Sequence, residues 1–522
     1  MQGKKDYQEK LFTNFQLSER IPEKNFYRKL KEELDLRFLY KRTNRFYGDC
    51  GQKSIDPVVF YKLCLVGYLE NIISDRHLID HCTMRMDILY FLDYDIDDTL
   101  PWHSTVSRTR NLFPEQVFEE VFTKVFKLCV NKGMVSGHTQ AIDAAPVKAN
   151  ASMDSLELKV PKEELKEHLK QVRYMSTPDR EEPRRKSTKD KSDDNQKTIQ
   201  ASVDQLNEIK SRNNRWKETQ DERPGANRPN SKYTSNKTHY SPSDPDARIS
   251  VKPGKSRKLN YACQMGVDSA HHVISHIEAD YADKKDNQSL EQVTRKLKTR
   301  LQNQGLLWQN LLADTGYSSG ENYEYLEKIN LVSYIPPHGT YKGCPDGFIY
   351  DKENNRYACS QGKYAVYRKT KDNGKGQLVN HYATTRKDCR NCPIASSCKG
   401  KSHEKRFNVT YYREEYERGI ARVKSKQGVY MKRKRHSTVE PVFGTLTQFM
   451  GLRKINTRGI ANANKVMLMA GTAYNIKKYL KFIKNDVESV VKNGVNALLQ
   501  LFGEIGVVFG FSKQLKFIAY ND

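Results

Sequence analysis

The sequence predicts a mixed α/β core with large insertions, preceded by an all-helical N-terminal domain. Three observations predict it. Residues 56–130 carry capped helical segments one after another. Beyond them, short apolar runs at Gln140–Ala145, Leu259–Asp268, His272–Glu278 and Leu306–Ala313 read as strands. Between the first and second of those runs, from about Asn150 to Lys258, the texture changes to Lys, Arg, Glu, Asp, Ser, Asn and Pro, which bury little. The expected organisation is a helical domain over 1–130, a core over 131–484 with a charged insertion at 150–258 and a cysteine-rich one at 340–400, and a tail over 485–522.

Each element has a local reason. Phe26, Leu30, Leu34 and Phe38 recur at helical spacing within a charged segment, Glu23 to Tyr40. Asp56-Pro-Val has the acidic cap and proline start of a helix running to Ile73. A second helix opens at Ser74-Asp-Arg-His-Leu, and a basic, hydroxyl-rich third at His103-Ser-Thr-Val-Ser-Arg-Thr-Arg110. Such a set is compatible with a helix-turn-helix DNA reader, or with a plain helical packing domain. Leu156 to Tyr174 reads as a helix within the charged insertion. Leu259–Asp268 and His272–Glu278 flank a polar turn as a hairpin, Asn287 to Gln302 reads as a helix, and a strand then ends in Asp314. Strand, hairpin, helix, strand is the beginning of a ribonuclease-H-like core. After Asp486 the tail alternates apolar helix-like pieces with glycines.

Composition narrows the partners. The 522 residues suffice for roughly three or four domains. A formal charge of +26 and a pI near 9.4 call for an anionic partner, with nucleic acid foremost, because Lys and Arg neutralising phosphates release counterions. No membrane role is expected. The N-terminus is polar, and the most apolar stretch, Ala497 to Phe511, is interrupted by Gln500 and Glu504 and falls short of the about 20 residues a bilayer needs. The chain is expected to work in the cytoplasm or on the bacterial nucleoid. Ten cysteines are too few for a disulfide scaffold.

Three carboxylates then carry the chemistry. Asp143 lies in a strand-like segment, Asp314 ends an apolar run at Asp314-Thr-Gly-Tyr317, and Glu440 opens a helical stretch in Ser437-Thr-Val-Glu440-Pro-Val-Phe-Gly444. More than a hundred residues separate each from the next, so only the fold can bring them together. Such hard oxygen ligands suit Mg²⁺ or Mn²⁺, and two such ions can clamp both oxygens of an in-line displacement at phosphorus. The ordinary alternatives are a strand-end aspartate, a turn aspartate, and a Ser437-x-x-Glu440 capping box closing a helix N-terminus.

The three blocks, Ala141-Ile-Asp143-Ala-Ala, Leu312-Ala-Asp314-Thr-Gly-Tyr and Thr438-Val-Glu440-Pro-Val-Phe-Gly, resemble the signature blocks of DDE transposases of bacterial insertion sequences. They are most similar to the insertion-sequence 1182 group within the insertion-sequence 5 and 4 assemblage. The segment from Asp56-Pro-Val-Val-Phe-Tyr to Ser104-Thr-Val-Ser-Arg resembles the helical domain that precedes that core, and the resemblance covers roughly residues 15–480. It implies that Asp143, Asp314 and Glu440 bind the catalytic metals, two ions of Mg²⁺ or Mn²⁺. It further implies cleavage at the element's terminal inverted repeats and joining to target DNA, by a dimer or larger synaptic complex. A metal-dependent nuclease without joining and a catalytically silent DNA-binding relic remain the alternatives. The chain departs from the related Tyr-Arg-Glu-Lys pattern: His436 stands where an arginine is typical and Thr447 where a lysine is typical.

Two further clusters stand out. Cys389-x-x-Cys392 with Cys398, preceded by Cys359 and Cys344, can make a thiolate site for structural Zn²⁺ or be a set of free thiols. The resemblance, which includes cysteines in this insertion, favours Cys359, Cys389, Cys392 and Cys398 as ligands. Cys50, Cys64, Cys82, Cys129 and Cys263 read as core residues. Lys399 to Arg435 holds thirteen Lys or Arg against four Glu and abuts Glu440. Arg433, Lys434, Arg435, Arg453 and Arg458 are the candidate DNA contacts, which would position phosphates without reading sequence.

Overall fold

A computed structural model describes residues 15–48, 54–159, 236, 239–250, 257–339, 341, 343–374 and 376–508. The described positions from Phe15 to Asn131 hold helices and no strand. Pro57–Leu69 starts as its sequence dictates: the Asp56 carboxylate accepts the Val58 and Val59 amides at 2.6 and 3.2 Å, and Pro57 occupies the first turn. Ser74 caps Asp75–Thr83, and His103–Leu112 follows Met86–Leu92. The expected single helix from Glu23 to Tyr40 is two, Phe26–Glu33 and Phe38–Thr43. Asp35 breaks it by accepting both the Arg37 amide and its guanidinium, and Leu34 and Leu36 bury on either side of the break.

Strand β1 (Thr139–Lys148) enters the core sheet. The chain then leaves and returns at a small ladder of β2 (Glu157–Leu158) and β3 (His239–Tyr240), where the Tyr240 hydroxyl donates to Glu157 at 3.0 Å. The helix expected from Leu156 to Tyr174 therefore does not begin there, and its part beyond Lys159 lies outside the described residues, as do most of the charged insertion and Cys50. Next come β4 (Arg248–Ser250), β5 (Lys258–Asp268) and β6 (Ile274–Tyr281), then the helix Asp286–Gln302, β7 (Asn310–Leu312) and β8 (Val332–Tyr334). The strands lie in the order β6-β5-β1-β7-β8, with β4 beside β6 on the far side of β5. β5 and β6 run antiparallel as a hairpin against β1, whereas β7 and β8 run parallel to it.

A second sheet was not foreseen. Within 348–410, β9 (Phe348–Asp351), β10 (Arg356–Cys359), β11 (Tyr364–Asp372), β12 (Leu378–Ala383) and β13 (Arg406–Thr410) form an antiparallel meander with its own small core of Phe348, Tyr357, Ala365, Tyr382 and Val409. The other buried side chains make one continuous core shared by the N-terminal helices, the first sheet, and the helices Lys426–Phe449 and Ile460–Val508. Phe60, Phe91, Phe113, Phe118, Phe122 and Phe126 are fully buried in it, each contributing about 2–3 kcal/mol of burial. The last helix runs unbroken through residues expected as alternating tail pieces, and residues 509–522 lie outside the described part. Among the described residues, no helix is long and apolar enough to cross a membrane.

Arg110, in the hydroxyl-rich third segment, is turned inward. Its guanidinium donates to both Asp75 oxygens at 2.6 and 2.8 Å, and the residue is 8% exposed. Replacing it by Gln strands the Asp75 carboxylate, so Arg110→Gln should cost about 3 kcal/mol in a denaturant unfolding titration. On β6, burial alone would raise the Glu278 carboxyl, but the His276 imidazole and Lys296 ammonium beside it hold it at about 2, below its ordinary 4.5. A depressed carboxyl adds stability above its unfolded value and loses it as pH falls toward the folded one. Glu278→Gln should therefore be less stable at neutral pH, and its stability should fall less steeply than wild type between pH 4.5 and 2 in acid titration.

Candidate active site

Strand pairing sets the first two carboxylates. Gln140 and Ala141 of β1 pair in parallel with Leu311 and Leu312 of β7. Asp143 and Asp314 each lie two residues beyond the Ala141–Leu312 pair, on neighbouring chains that run in the same direction. Asp143 is still held in β1, opposite Met265 of β5. Asp314 has left β7 and caps the turn Thr315–Tyr317, its Oδ1 accepting the Gly316 amide at 2.9 Å. Gly316 has no room for a side chain. A Cβ there would lie 2.7 Å from Asp286 Oδ2 and 3.0 Å from Asp314 Oδ1. Asp286, which opens the helix after β6, is thus a further carboxylate of this region that the sequence did not single out. Tyr317 is fully buried and donates to Gln264 Oε1 at 2.9 Å. Burial, then the charges of Asp286, Asp143 and Asp314, push its phenol well above the usual range, so it stays a proton donor.

Glu440 comes from a helix laid on the same sheet. Helix Arg413–Lys424 ends at Ser425, whose hydroxyl accepts the Gly428 amide at 3.0 Å and starts Lys426–Phe449. A Cβ at Gly428 would overlap the Arg422 and Val423 carbonyl oxygens, so glycine lets the two helices turn this tightly. Thr438, Val439, Val442 and Leu446 are buried, which fixes the helix face and leaves Glu440 57% exposed beyond it. The capping-box reading of Ser437 and Glu440 is corrected: Ser437 sits mid-helix and its hydroxyl donates to the Lys434 carbonyl at 3.0 Å. Directly after Glu440, Pro441 lies inside the helix, a placement that costs about 3 kcal/mol and removes one helical hydrogen bond.

Arg435 ties the third block to the first. Its guanidinium is 12% exposed and lies 3.2 Å from Asp143 Oδ2 and 3.8 Å from Glu440 Oε1. His436, one turn before Glu440, donates from Nδ1 to Glu440 Oε1 at 2.5 Å. Two carboxylates nearly three hundred residues apart therefore share one cation. Three half-buried or exposed carboxylates are the donor type a hard divalent cation takes, and a cation already bridges two of them. Among the described residues, no group of three or more His, Cys, Asp or Glu is arranged to hold a metal ion, and it is the Arg435 guanidinium that lies between Asp143 and Glu440.

The other expected site residues separate. Arg433, Arg453 and Arg458 are exposed and make no ion pair among the described residues, while Lys434 is half-buried. Earlier cations of the same run serve the fold. Arg413 stacks 3.6 Å over Tyr350, Arg418 pairs with Glu327 at 2.7 Å, and Arg422 donates to the Ser333 carbonyl at 3.1 Å. The cysteines of the second sheet are unbridged. Cys344, Cys359 and Cys398 pack on its small core, and Cys389 lies 3.0 Å from the Thr384 hydroxyl. The structure does not gather Cys359, Cys389, Cys392 and Cys398 into a ligand set. Cys64, Cys82, Cys129 and Cys263 are buried, as core residues would be.

Residues 15–112 match the family described as transposase domain DUF772, and residues 358–480 match the family described as transposase DDE domain. Both matched families are described as transposase domains. The DDE match takes in Arg435, Glu440 and Pro441, and the first covers the helices up to Leu112. A search of curated proteins finds no match. Among solved structures, the chain is similar to the piggyBac transposase synaptic complex with hairpin DNA, at 10% identity and a TM-score of 0.29, over 88% of this chain and 73% of that one.

The two glycines of the glutamate helix should behave in opposite ways. Gly428→Ala should lose about 1–3 kcal/mol in thermal unfolding, because backbone must move to admit the methyl group. Gly444→Ala, with open space at its Cβ, should instead gain up to about 1 kcal/mol.

Proposed function

We propose that the protein is a DNA transposase that cuts at the ends of its own element and joins them to target DNA. The observation that carries this reading is the meeting of Asp143 and Glu440 at Arg435, with Asp314 just past the end of the strand that pairs with β1. Three things support it. The strand order β6-β5-β1-β7-β8, with an antiparallel hairpin on one side of β1 and parallel strands on the other, fits the ribonuclease-H-like core expected of such an enzyme. Two segments match transposase domains. The net charge of +26 favours a polyanionic partner.

In this reading Asp143 and Asp314 hold the cation site rigidly, one inside a strand and the other at a strand end capped onto its own turn. Glu440 closes the site from the helix, its exposed carboxylate facing the side from which DNA arrives. Divalent Mg²⁺ or Mn²⁺ bound there supplies Lewis-acid stabilisation of the attacked phosphate and favours ionisation of the attacking water or hydroxyl. Tyr317 donates to Gln264 beneath the carboxylates and keeps the floor of the site fixed. Arg433, Lys434, Arg453 and Arg458 receive backbone phosphates and set the DNA's position. Water attacks the phosphodiester at the element end, releasing a 3′-hydroxyl. That hydroxyl then attacks a target phosphodiester in the same geometry, with a target 3′-hydroxyl leaving. The N-terminal helices, with Trp102 69% exposed against the His103 ring, provide a further DNA-facing surface, and two or more copies pair the two ends.

The test uses purified protein, labelled DNA carrying the element's ends, a target plasmid and Mg²⁺. Wild type should yield joined product, and Asp314→Ala and Glu440→Gln should each lose about 10³-fold or more of it while still binding the ends. Cleavage without joining would instead make the protein a nuclease. End binding without cleavage in either Mg²⁺ or Mn²⁺ would make it a DNA-binding relic.

A further inference from the structure

We infer that Arg435 is a built-in counter-ion that holds the place of the divalent cation and gives it up when the ion enters. The inference rests on the proposed metal-dependent reading of Asp143, Asp314 and Glu440. It starts from where the guanidinium is. Arg435 belongs by sequence to a run of exposed cations, Lys432 to Arg435, yet it is turned inward to 12% exposure while Arg433 stays exposed. Its Nη1 reaches Asp143 Oδ2 and its Nη2 faces Glu440 Oε1, so one planar cation spans two carboxylates brought together from a strand and a helix.

The electrostatics explain why. Two carboxylates facing one guanidinium repel each other, and half-buried Asp143 feels the repulsion more strongly than it would in water. A cation between them removes the repulsion and keeps the glutamate helix seated on β1. A divalent ion needs those same oxygens at about 2.0–2.2 Å, within the space that the guanidinium fills. Arginine and ion therefore exclude one another. The arginine side chain is long, and Arg435 lies one turn or less from exposed Arg433 and half-buried Lys434, so its swing outward adds a cation to the surface that would face DNA phosphates. Metal entry and phosphate contact are coupled by that swing, and each strengthens the other.

The test measures Mn²⁺ binding to the full chain without DNA, by the electron paramagnetic resonance signal of free Mn²⁺. The proteins are wild type, Arg435→Gln, Arg435→Lys, Arg433→Gln and Asp314→Asn. Arg435→Gln should bind Mn²⁺ about tenfold more tightly than wild type, and Arg433→Gln, which loses the same charge without vacating the site, by less than about threefold. Arg435→Lys, which keeps the charge but cannot span both carboxylates, should fall between them and covers the case in which the glutamine variant does not fold. In a second readout, Mn²⁺ should raise wild-type affinity for a labelled end duplex more than it raises that of Arg435→Gln. Equal or weaker Mn²⁺ binding by both Arg435 variants, with wild-type binding still lost in Asp314→Asn, would overturn the counter-ion and leave the metal site standing. Absence of Mn²⁺ binding from every protein would overturn both.

Discussion

Everything in the site depends on β1 being paired on both edges. Its antiparallel partner β5 fixes Asp143 opposite Met265, and its parallel partner β7 sets where Asp314 leaves the sheet. A one-residue slip on either side would turn a carboxylate to the opposite face, so register is the constraint that the chemistry cannot do without. The sequence secures it by burial. Ala141 and Ile142 are wholly buried, as are Leu311 and Leu312 beside them, which leaves the aspartates at the edge of a tightly specified patch.

Against that fixed strand, the glutamate arrives on a helix whose position is assembled from many parts. A tight glycine turn starts it, four side chains seat it, and a proline follows the glutamate at an unfavourable place. Arg413, Arg418 and Arg422 anchor the preceding helix to the second sheet and to the first through Tyr350, Glu327 and Ser333. Positive charge that would read as a nucleic-acid surface is thus divided between structural and exposed cations, and only burial and partners distinguish them.

Much of this was legible in the residues, and the exceptions have physical reasons. Asp314 could be placed because an apolar run ending in aspartate marks a strand end, and Asp143 because its apolar segment reads as a strand, although β1 continues past it to Lys148. Glu440 could be found, but its setting could not: Ser437-x-x-Glu440 mimics a helix start, and only Ser425 twelve residues earlier shows where the helix begins. The break at Asp35 was hidden because Phe26, Leu30, Leu34 and Phe38 keep helical spacing across it. The second sheet was missed because β9 to β13 are short and mostly solvated, with faint alternation and a core of five side chains. Arg435 against Asp143 is a contact across 292 positions, and nothing local announces it.

The two sheets also differ in how separable they are. The meander carries its own small core, whereas the N-terminal helices share theirs with the first sheet and with the helix from Ile460. The meander is therefore a cassette, which evolution could lengthen, trim or replace without dissolving what surrounds it. The helical segment is no such module. Any surface it offers to a partner is fixed in distance and angle to the carboxylates by a packed core rather than by a flexible tether.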